Sequence, residues 1–325
     1  MSQQKIAIIG AGMTGLKAAS GLHRAGFAVT VFEKSRGLGG RLATRRTEQG
    51  MFNHGAQYVT AKRPDFTAYL THAANLNAAT GWHPQILPQP GINTDPQQGW
   101  YRGAPQMNRL VNPLLAPYRL IRQTAITTIE PLGRKFILHG SANEQFGEFD
   151  SVIVTAPAPQ TASLLMPLGG RFDCLGDVTM APCWAVMVAF ATPLDLPCDA
   201  MLHPDPAISW AARGAAVIPG RPDLWVIHAD AQWSQDHLEE DRQQVISRLL
   251  ARFEGVNSGL LPAVTSVDAH LWRFARTQTP LGRSHLAGLN GRIIAAGDWC
   301  LGARVEAAYD SGRCAANALI ETFYG

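Results

Sequence analysis

The most constraining feature of the chain lies in its first 33 residues. Ile6-Ala7-Ile8-Ile9 is an unbroken apolar run of the kind that fills a strand buried on both faces, and it leads directly into Gly10-Ala11-Gly12-Met13-Thr14-Gly15. Beyond the glycines, Leu16, Ala18, Ala19, Leu22 and Ala25 recur at helical spacing until Gly26, which is placed to end a helix. Ala28 to Glu33 then alternates as a second strand and finishes on an acid. A GxGxxG string alone is a common glycine turn, but strand, turn, helix, strand and acid in this order predict a βαβ unit that holds a dinucleotide. Gly10 permits the tight turn, Gly12 lets the backbone approach a pyrophosphate, and Gly15 lets the helix pack close to the strand. Met13 and Thr14 open the helix whose N-terminus faces the phosphates, and Glu33 can accept ribose hydroxyls.

The rest of the composition bounds what surrounds this unit. With 325 residues, 46% hydrophobic and only 16% charged, the chain can bury a core of about two domains and is not disordered, collagen-like or coiled-coil. Its longest apolar runs, such as Ala185 to Ala191 and Ile293 to Ala296, fall far short of the roughly 18 residues of a membrane span. Met1 to Lys5 carries no signal-like charged region, so a cytoplasmic protein without a membrane partner is expected. The 5 cysteines are widely spaced and form no CxxC, which supports neither a disulfide framework nor a metal site. Residues 1 to 160 hold 16 Lys and Arg against 8 Asp and Glu, whereas residues 161 to 325 hold 12 against 17. The basic half suits an anion. Its run of Lys34, Arg36, Arg41, Arg45 and Arg46 is not interleaved with aromatics, which argues against nucleic acid.

Three further segments say which dinucleotide. Ser35-Arg36-Gly37-Leu38-Gly39-Gly40-Arg41 is a second glycine cluster bounded by arginines, suited to closing over phosphates. Gly291 to Asp298 reads as a strand ending in Gly297-Asp298, with the helix Val305 to Ala316 after it, and Phe149 to Gln160 as a buried strand running into a proline-bounded turn. With these parts in order, the sequence resembles the flavin amine oxidases and the related FAD superfamily, Arg36, Gly39, Gly40 and Arg41 matching their RxGGR-like element. The resemblance implies an α/β fold: a Rossmann-like FAD-binding domain of the p-hydroxybenzoate hydroxylase and amine oxidase type, with an inserted mixed-sheet substrate domain. It implies a discontinuous FAD domain of residues 1–60, 119–165 and 286–325, and a substrate domain of 61–118 and 166–285. It also implies non-covalent FAD. Gly297 and Asp298 would reach the ribityl chain and phosphate, and Val305 would open the helix whose N-terminal dipole favours negative charge on the reduced flavin. The cofactor set is completed by Lys34, His54, Gly55, Ala56, Gln57, Tyr58, Ile126, Ala156, Arg304, Glu306 and Ala308.

Within that superfamily, amine oxidases place a lysine near the flavin, yet the 5 lysines here are Lys5, Lys17, Lys34, Lys62 and Lys135, none in the last 190 residues. Five strings resemble the bacterial renalases over nearly the whole chain: His54 to Thr60, Pro182 to Val186, Trp225 to Ser234, His270 to Arg276, and Gly297 to Leu301. That resemblance implies oxidation of dihydronicotinamide dinucleotides reduced at the wrong ring position, the 2- or 6-dihydro isomers of NAD(P). Hydride would pass to flavin N5, and molecular oxygen would take the electrons to give hydrogen peroxide. Such chemistry requires no strong base. Candidate residues are then Thr60, Gln57 and Tyr58 near the ring; Trp184, Trp225, His228 and Trp272 as pocket walls; and Arg273 or Arg102 for the substrate phosphates. A generic amine oxidase and a non-catalytic FAD-binding protein are the competing readings.

Overall fold

The structure is a computed structural model that describes residues 3–87, 99–214, 220–257 and 260–325. Its first layer is a six-stranded sheet in the order Leu286–Gly288, Ile293–Ala295, Ser151–Val154, Lys5–Ile9, Ala28–Glu33, Arg119–Arg122, parallel except where the first two meet. The strand Lys5–Ile9 therefore has partners on both sides, with Ile8 opposite Val31 on one and Ile153 on the other. Strand order reverses beside it, and in open α/β sheets ligands settle in the crevice at the carboxyl ends of such strands.

Both faces of this sheet are covered, which explains why its strands read as continuous apolar runs. Ile6 and Ile8 join a cluster with Leu16, Leu22 and Leu319 from two helices, Met13–Arg24 and Val305–Tyr324. The helices meet through glycines. A Cβ on Gly312 would overlap the Thr14 carbonyl oxygen, and one on Gly21 would stand 3.2 Å from the Ala316 methyl. Ala7 and Ile9 face the other way, into a cluster with Phe32, Val152, Phe149 and Leu138. That side is covered by a three-stranded antiparallel sheet, Ile126–Leu132, Lys135–Gly140 and Gln145–Phe149.

The inserted layer is a five-stranded sheet in the order Ala200–Asp205, Ile208–Arg213, Asp223–Ala229, Thr179–Phe190, Val264–Thr279. Expected to be mixed, it is antiparallel throughout, with one parallel bridge from Ile86 to Ala200 at its edge. The helix Arg242–Val256 backs one face, where Trp184, Val186, Trp225 and Ile227 pack with Val245, Leu249 and Phe253. The opposite face, carrying Ala185, Trp210, His228, His270 and Trp272, looks toward the first layer.

Residues 61–118, which the sequence assigns as one piece to the substrate domain, divide between the layers. The helix Pro64–Asn75 and the 3-10 segment Met107–Leu114 put Phe66, Leu70, Leu110 and Val111 into the first cluster. Trp82 and Trp100 instead lie on a small sheet of Val59–Thr60, Trp100–Gly103 and Ala79–Trp82 that packs with Ala200, Trp210 and Ala212. Phe172 and Leu175 likewise pack beneath the six-stranded sheet. Among the described residues no helix is long and apolar enough to cross a membrane, and no cluster of three His, Cys, Asp or Glu is placed to hold a metal.

Candidate active site

The glycine turn sits at the carboxyl end of the strand Lys5–Ile9. Gly10 has φ of 107°, a left-handed conformation that suits glycine, and an added Cβ would lie 2.7 Å from Thr155 Oγ1. A Cβ on Gly15 would overlap the Gly10 carbonyl oxygen, so the helix can lie this close to the turn only with glycine there. Gly12 differs: it is the N-cap of the helix Met13–Arg24, no side chain caps it, and nothing stands within 4 Å of where a Cβ would be. Met13 and Thr14 are buried in the first turn.

The second glycine cluster folds directly onto the first. Gly39 N–H donates to the Ala11 carbonyl at 2.9 Å, and a Cβ on Gly40 would stand 3.7 Å from Gly12 Cα. Glu33, 7% exposed, links the two turns: Oε2 accepts from Ala11 N–H at 2.9 Å and Oε1 from Ser35 N–H at 2.7 Å. Two acceptor positions of roughly four on a carboxylate are thereby filled, and the others remain for hydroxyl donors. Lys34 and Arg36 lie exposed at the rim, Lys34 Nζ donating to Gln160 Oε1 at 3.3 Å and the Arg36 carbonyl accepting from Arg122 at 3.4 Å.

Arg41 carries this loop to the far end of the chain. Its guanidinium grips Asp298 in a two-pronged pair, with Nη1 at 2.9 Å from Oδ2 and Nη2 on Oδ1, and Nη1 also donates to the Ala275 carbonyl at 3.1 Å. Thr277 donates to Asp298 Oδ2 at 3.2 Å. Gly297 N–H donates to Ser311 Oγ at 2.9 Å, which sets the Gly297-Asp298 pair against the terminal helix. At the entrance of that helix, Arg304 donates to Thr60 Oγ1 at 3.0 Å and pairs with Glu306 at 3.3 Å. Glu306 also accepts from the N–H groups of Lys62 and Arg63 at 2.9 and 2.7 Å. Val305 and Ala308 pack on the first cluster; Ile126 is in the second, and the Ala156 carbonyl accepts from Trp299 Nε1 at 3.0 Å.

The loop from His54 to Tyr58 joins the two layers. The Arg41 carbonyl accepts from Ala56 N–H at 2.8 Å, and a Cβ on Gly55 would overlap that carbonyl. The His54 carbonyl accepts from Trp272 Nε1 at 2.9 Å and lies 3.0 Å from His228 Nε2. The His54 ring stacks on Trp272 with centroids 5.2 Å apart and meets His270 edge-on at 5.1 Å. Burial, reinforced by His270 and Arg45, lowers the His54 pKa to about 4, and burial lowers that of His228 to about 4 against its contact with the His54 carbonyl. Burial also lowers that of His270. At neutral pH these imidazoles are thus uncharged and weakly basic. Tyr58 stacks on Trp100 with centroids 4.1 Å apart and contacts Trp82 and Trp210. His54 Nδ1, Gln57 Nε2 and Trp210 Nε1 are buried without a hydrogen-bond partner among the described residues.

Several expected roles are corrected by strand geometry. Successive side chains of a strand point to opposite faces. Trp184 pairs with Leu271, not Trp272, and Trp225 is three residues from His228, so both tryptophans lie in the helix-backed core and not in the pocket wall. Trp184 Nε1 donates to the His237 carbonyl at 3.0 Å. Arg273 points away from Trp272 and is exposed, paired with Glu239 at 2.7 Å. Arg102 is sequestered: it stacks over Trp82 at 3.4 Å and donates to the carbonyls of Gln57, Arg213 and Gly214 at 3.1 to 3.3 Å. His228 and Trp272 meet at the His54 carbonyl, three residues before Gln57, while Thr60 is held by Arg304. Sequence reasoning missed Trp82, Trp100, Trp210 and Arg276. For Arg276 strand parity gave no clear signal, because the register shifts between the pairs Ala181–Arg276 and Cys183–Trp272.

Residues 8–73 match the family model described as an NAD(P)-binding Rossmann-like domain, so the N-terminal unit has a Rossmann-like fold. Over its whole length the chain is similar to a solved structure from Exiguobacterium sp. 255-15 named "Putative protoporphyrinogen oxidase". The TM-score is 0.77 at 14% identity, covering 99% of each chain. That likeness shows the fold: a Rossmann-like domain with an inserted second layer, as the sequence implies.

Proposed function

We propose that the protein is an FAD-dependent oxidase of isomeric dihydronicotinamide dinucleotides. The observation that carries the proposal is the pairing of a two-loop dinucleotide cradle with an opposing face of neutral imidazoles and aromatic rings. The residues suit FAD: open space beside Gly12 at an uncapped helix start admits a pyrophosphate, while Glu33 retains acceptor capacity for ribose hydroxyls. His54 Nδ1 and Gln57 Nε2 supply buried polar atoms that a polar ring edge would satisfy.

When bound, FAD would accept a hydride from the substrate ring, leaving NAD(P)+, and would pass the two electrons and that hydrogen to molecular oxygen, which takes one further proton from solvent to become hydrogen peroxide. The protein's part is then to bind, orient and exclude water. Arg41 and Asp298 hold the second loop against the terminal strand, and Arg304 fixes Thr60 beside the terminal helix. His228 and Trp272 fix the backbone of His54. A proton acceptor on carbon is not needed, which agrees with histidines whose basicity is suppressed. Arg102 already occupies the face of Trp82, which disfavours an open aromatic cage for a simple amine.

The test is anaerobic mixing of the purified yellow protein with 2- or 6-dihydroNAD(P), 4-dihydroNADH, simple amines and protoporphyrinogen, the last because of the name borne by the similar fold. Rapid bleaching by the isomers alone is expected. Bleaching by an amine or the porphyrinogen alone overturns the substrate assignment, and a colourless protein that takes up no FAD overturns the cofactor.

A further inference from the structure

The two arginines that the sequence offered for substrate phosphates are both occupied elsewhere, Arg273 by Glu239 and Arg102 by backbone carbonyls. A cation with no such engagement lies nearby. The Arg276 side chain is exposed and makes no hydrogen bond or ion pair among the described residues. Its neighbours on the cofactor-facing side are all tied: Arg41 to Asp298, Arg45 to Asp268, and Arg304 to Glu306 and Thr60.

Its place is fixed. Arg276 stands opposite Ala181 and Trp272 opposite Cys183, with a register shift between the two pairs; Ala181 and Cys183 are alternate residues of the facing strand, which puts Arg276 on the side of Trp272 and His270, and the Cys183 thiol feels its charge. The residues on either side of it anchor that stretch to the cofactor loops, Ala275 through Arg41 and Thr277 through Asp298. Its positive charge is felt by the Tyr58 hydroxyl, as is that of Arg304. Tyr58 in turn packs against Trp210, whose buried indole N–H is without a partner among the described residues.

We infer that Arg276 receives the phosphate of the dinucleotide substrate, with Arg304 adding positive potential and the Tyr58 and Trp210 side chains standing beside it. The inference rests on the reading of a dinucleotide substrate. A guanidinium offers two parallel donors to phosphate oxygens, and a charge-assisted contact of this kind is the strong type of hydrogen bond. Arg276 therefore acts in binding and not in hydride transfer.

The experiment compares the FAD-loaded native protein with Arg276→Gln and Arg276→Lys. Flavin bleaching is followed with 6-dihydroNAD and with the phosphate-free 6-dihydronicotinamide riboside, and NAD+ binding is read separately from tryptophan fluorescence. Arg276→Gln is expected to raise the half-saturating 6-dihydroNAD concentration and the NAD+ dissociation constant by about tenfold to a hundredfold, with Arg276→Lys between. Riboside half-saturation should move by less than about threefold, the phosphate contact being absent. An Arg276→Gln protein that binds NAD+ and the dinucleotide as the native one does overturns the inference while leaving the proposed reaction standing. Loss of FAD from Arg276→Gln assigns the arginine to the cofactor and also overturns it. NAD+ binding that depends on Arg276, without bleaching by the isomers, supports the anion site and overturns the reaction. Neither binding nor bleaching by the native protein overturns both.

Discussion

His54, His228 and His270 share one face between the layers, and the pKa of each is held below its ordinary value by burial. The unfolded chain, with imidazoles titrating near 6.5, binds protons that the folded chain refuses between about pH 6.5 and pH 4. The stabilisation is therefore complete above pH 6.5 and is lost as pH falls toward 4, by up to about 3 kcal/mol for His54 and for His228. Denaturant unfolding at pH 7, 6 and 5 should show this decline, and His228→Gln should flatten it. A slope that is unchanged in the variant would refute the assignment to His228. At this scale the sequence disclosed the glycines well, because each steric task leaves glycine as the residue that fits, as with Gly15 beneath the Gly10 carbonyl. It disclosed Arg273 and Trp184 badly, because neighbours in a strand face opposite ways and a string of residues does not say which face is which.

Between elements, the closest approach is the crossing of the helices Met13–Arg24 and Val305–Tyr324, where Gly312 rests on the Thr14 carbonyl. Gly312→Ala should force the helices apart and cost about 1–3 kcal/mol of unfolding free energy, read as a lower denaturation midpoint. Because Thr14 lies in the first turn of the helix at the proposed FAD site, the same variant is expected to release FAD more readily on gel filtration. A midpoint and retention equal to the native values would remove the crossing from the account. The first βαβ unit was legible since its apolar run, glycines, helical period and terminal acid agree with one another. The five-stranded sheet was not, because its pairings join residues as distant as Ala185 and His270, and local alternation carries no record of partners. The same limit hid the division of residues 61–118, whose helix Pro64–Asn75 buries Phe66 and Leu70 in the first layer's core.

At the scale of the whole molecule, Arg102 joins three segments: it holds the carbonyls of Gln57, Arg213 and Gly214 while stacking on Trp82. Burial lowers its pKa to about 10, with Asp199 opposing, so it stays charged at neutral pH. Arg102→Ala leaves those carbonyls without their donor and should lower stability by about 1–3 kcal/mol. The Tyr58, Trp82, Trp100 and Trp210 group should then admit water, seen as a red shift in tryptophan emission; an unshifted spectrum at unchanged stability would show the arginine to be dispensable. The six-stranded sheet has a different consequence, one of timing. The strand Ser151–Val154 receives its outer partner, Ile293–Ala295, only after the whole inserted layer has been synthesised. On the ribosome its backbone edge stays open for that interval, and an unpaired edge invites association with other chains. The nascent protein cannot form the Arg41 pair with Asp298 until the same late moment, so the second glycine loop is tied to the terminal strand only at the last stage of its biogenesis.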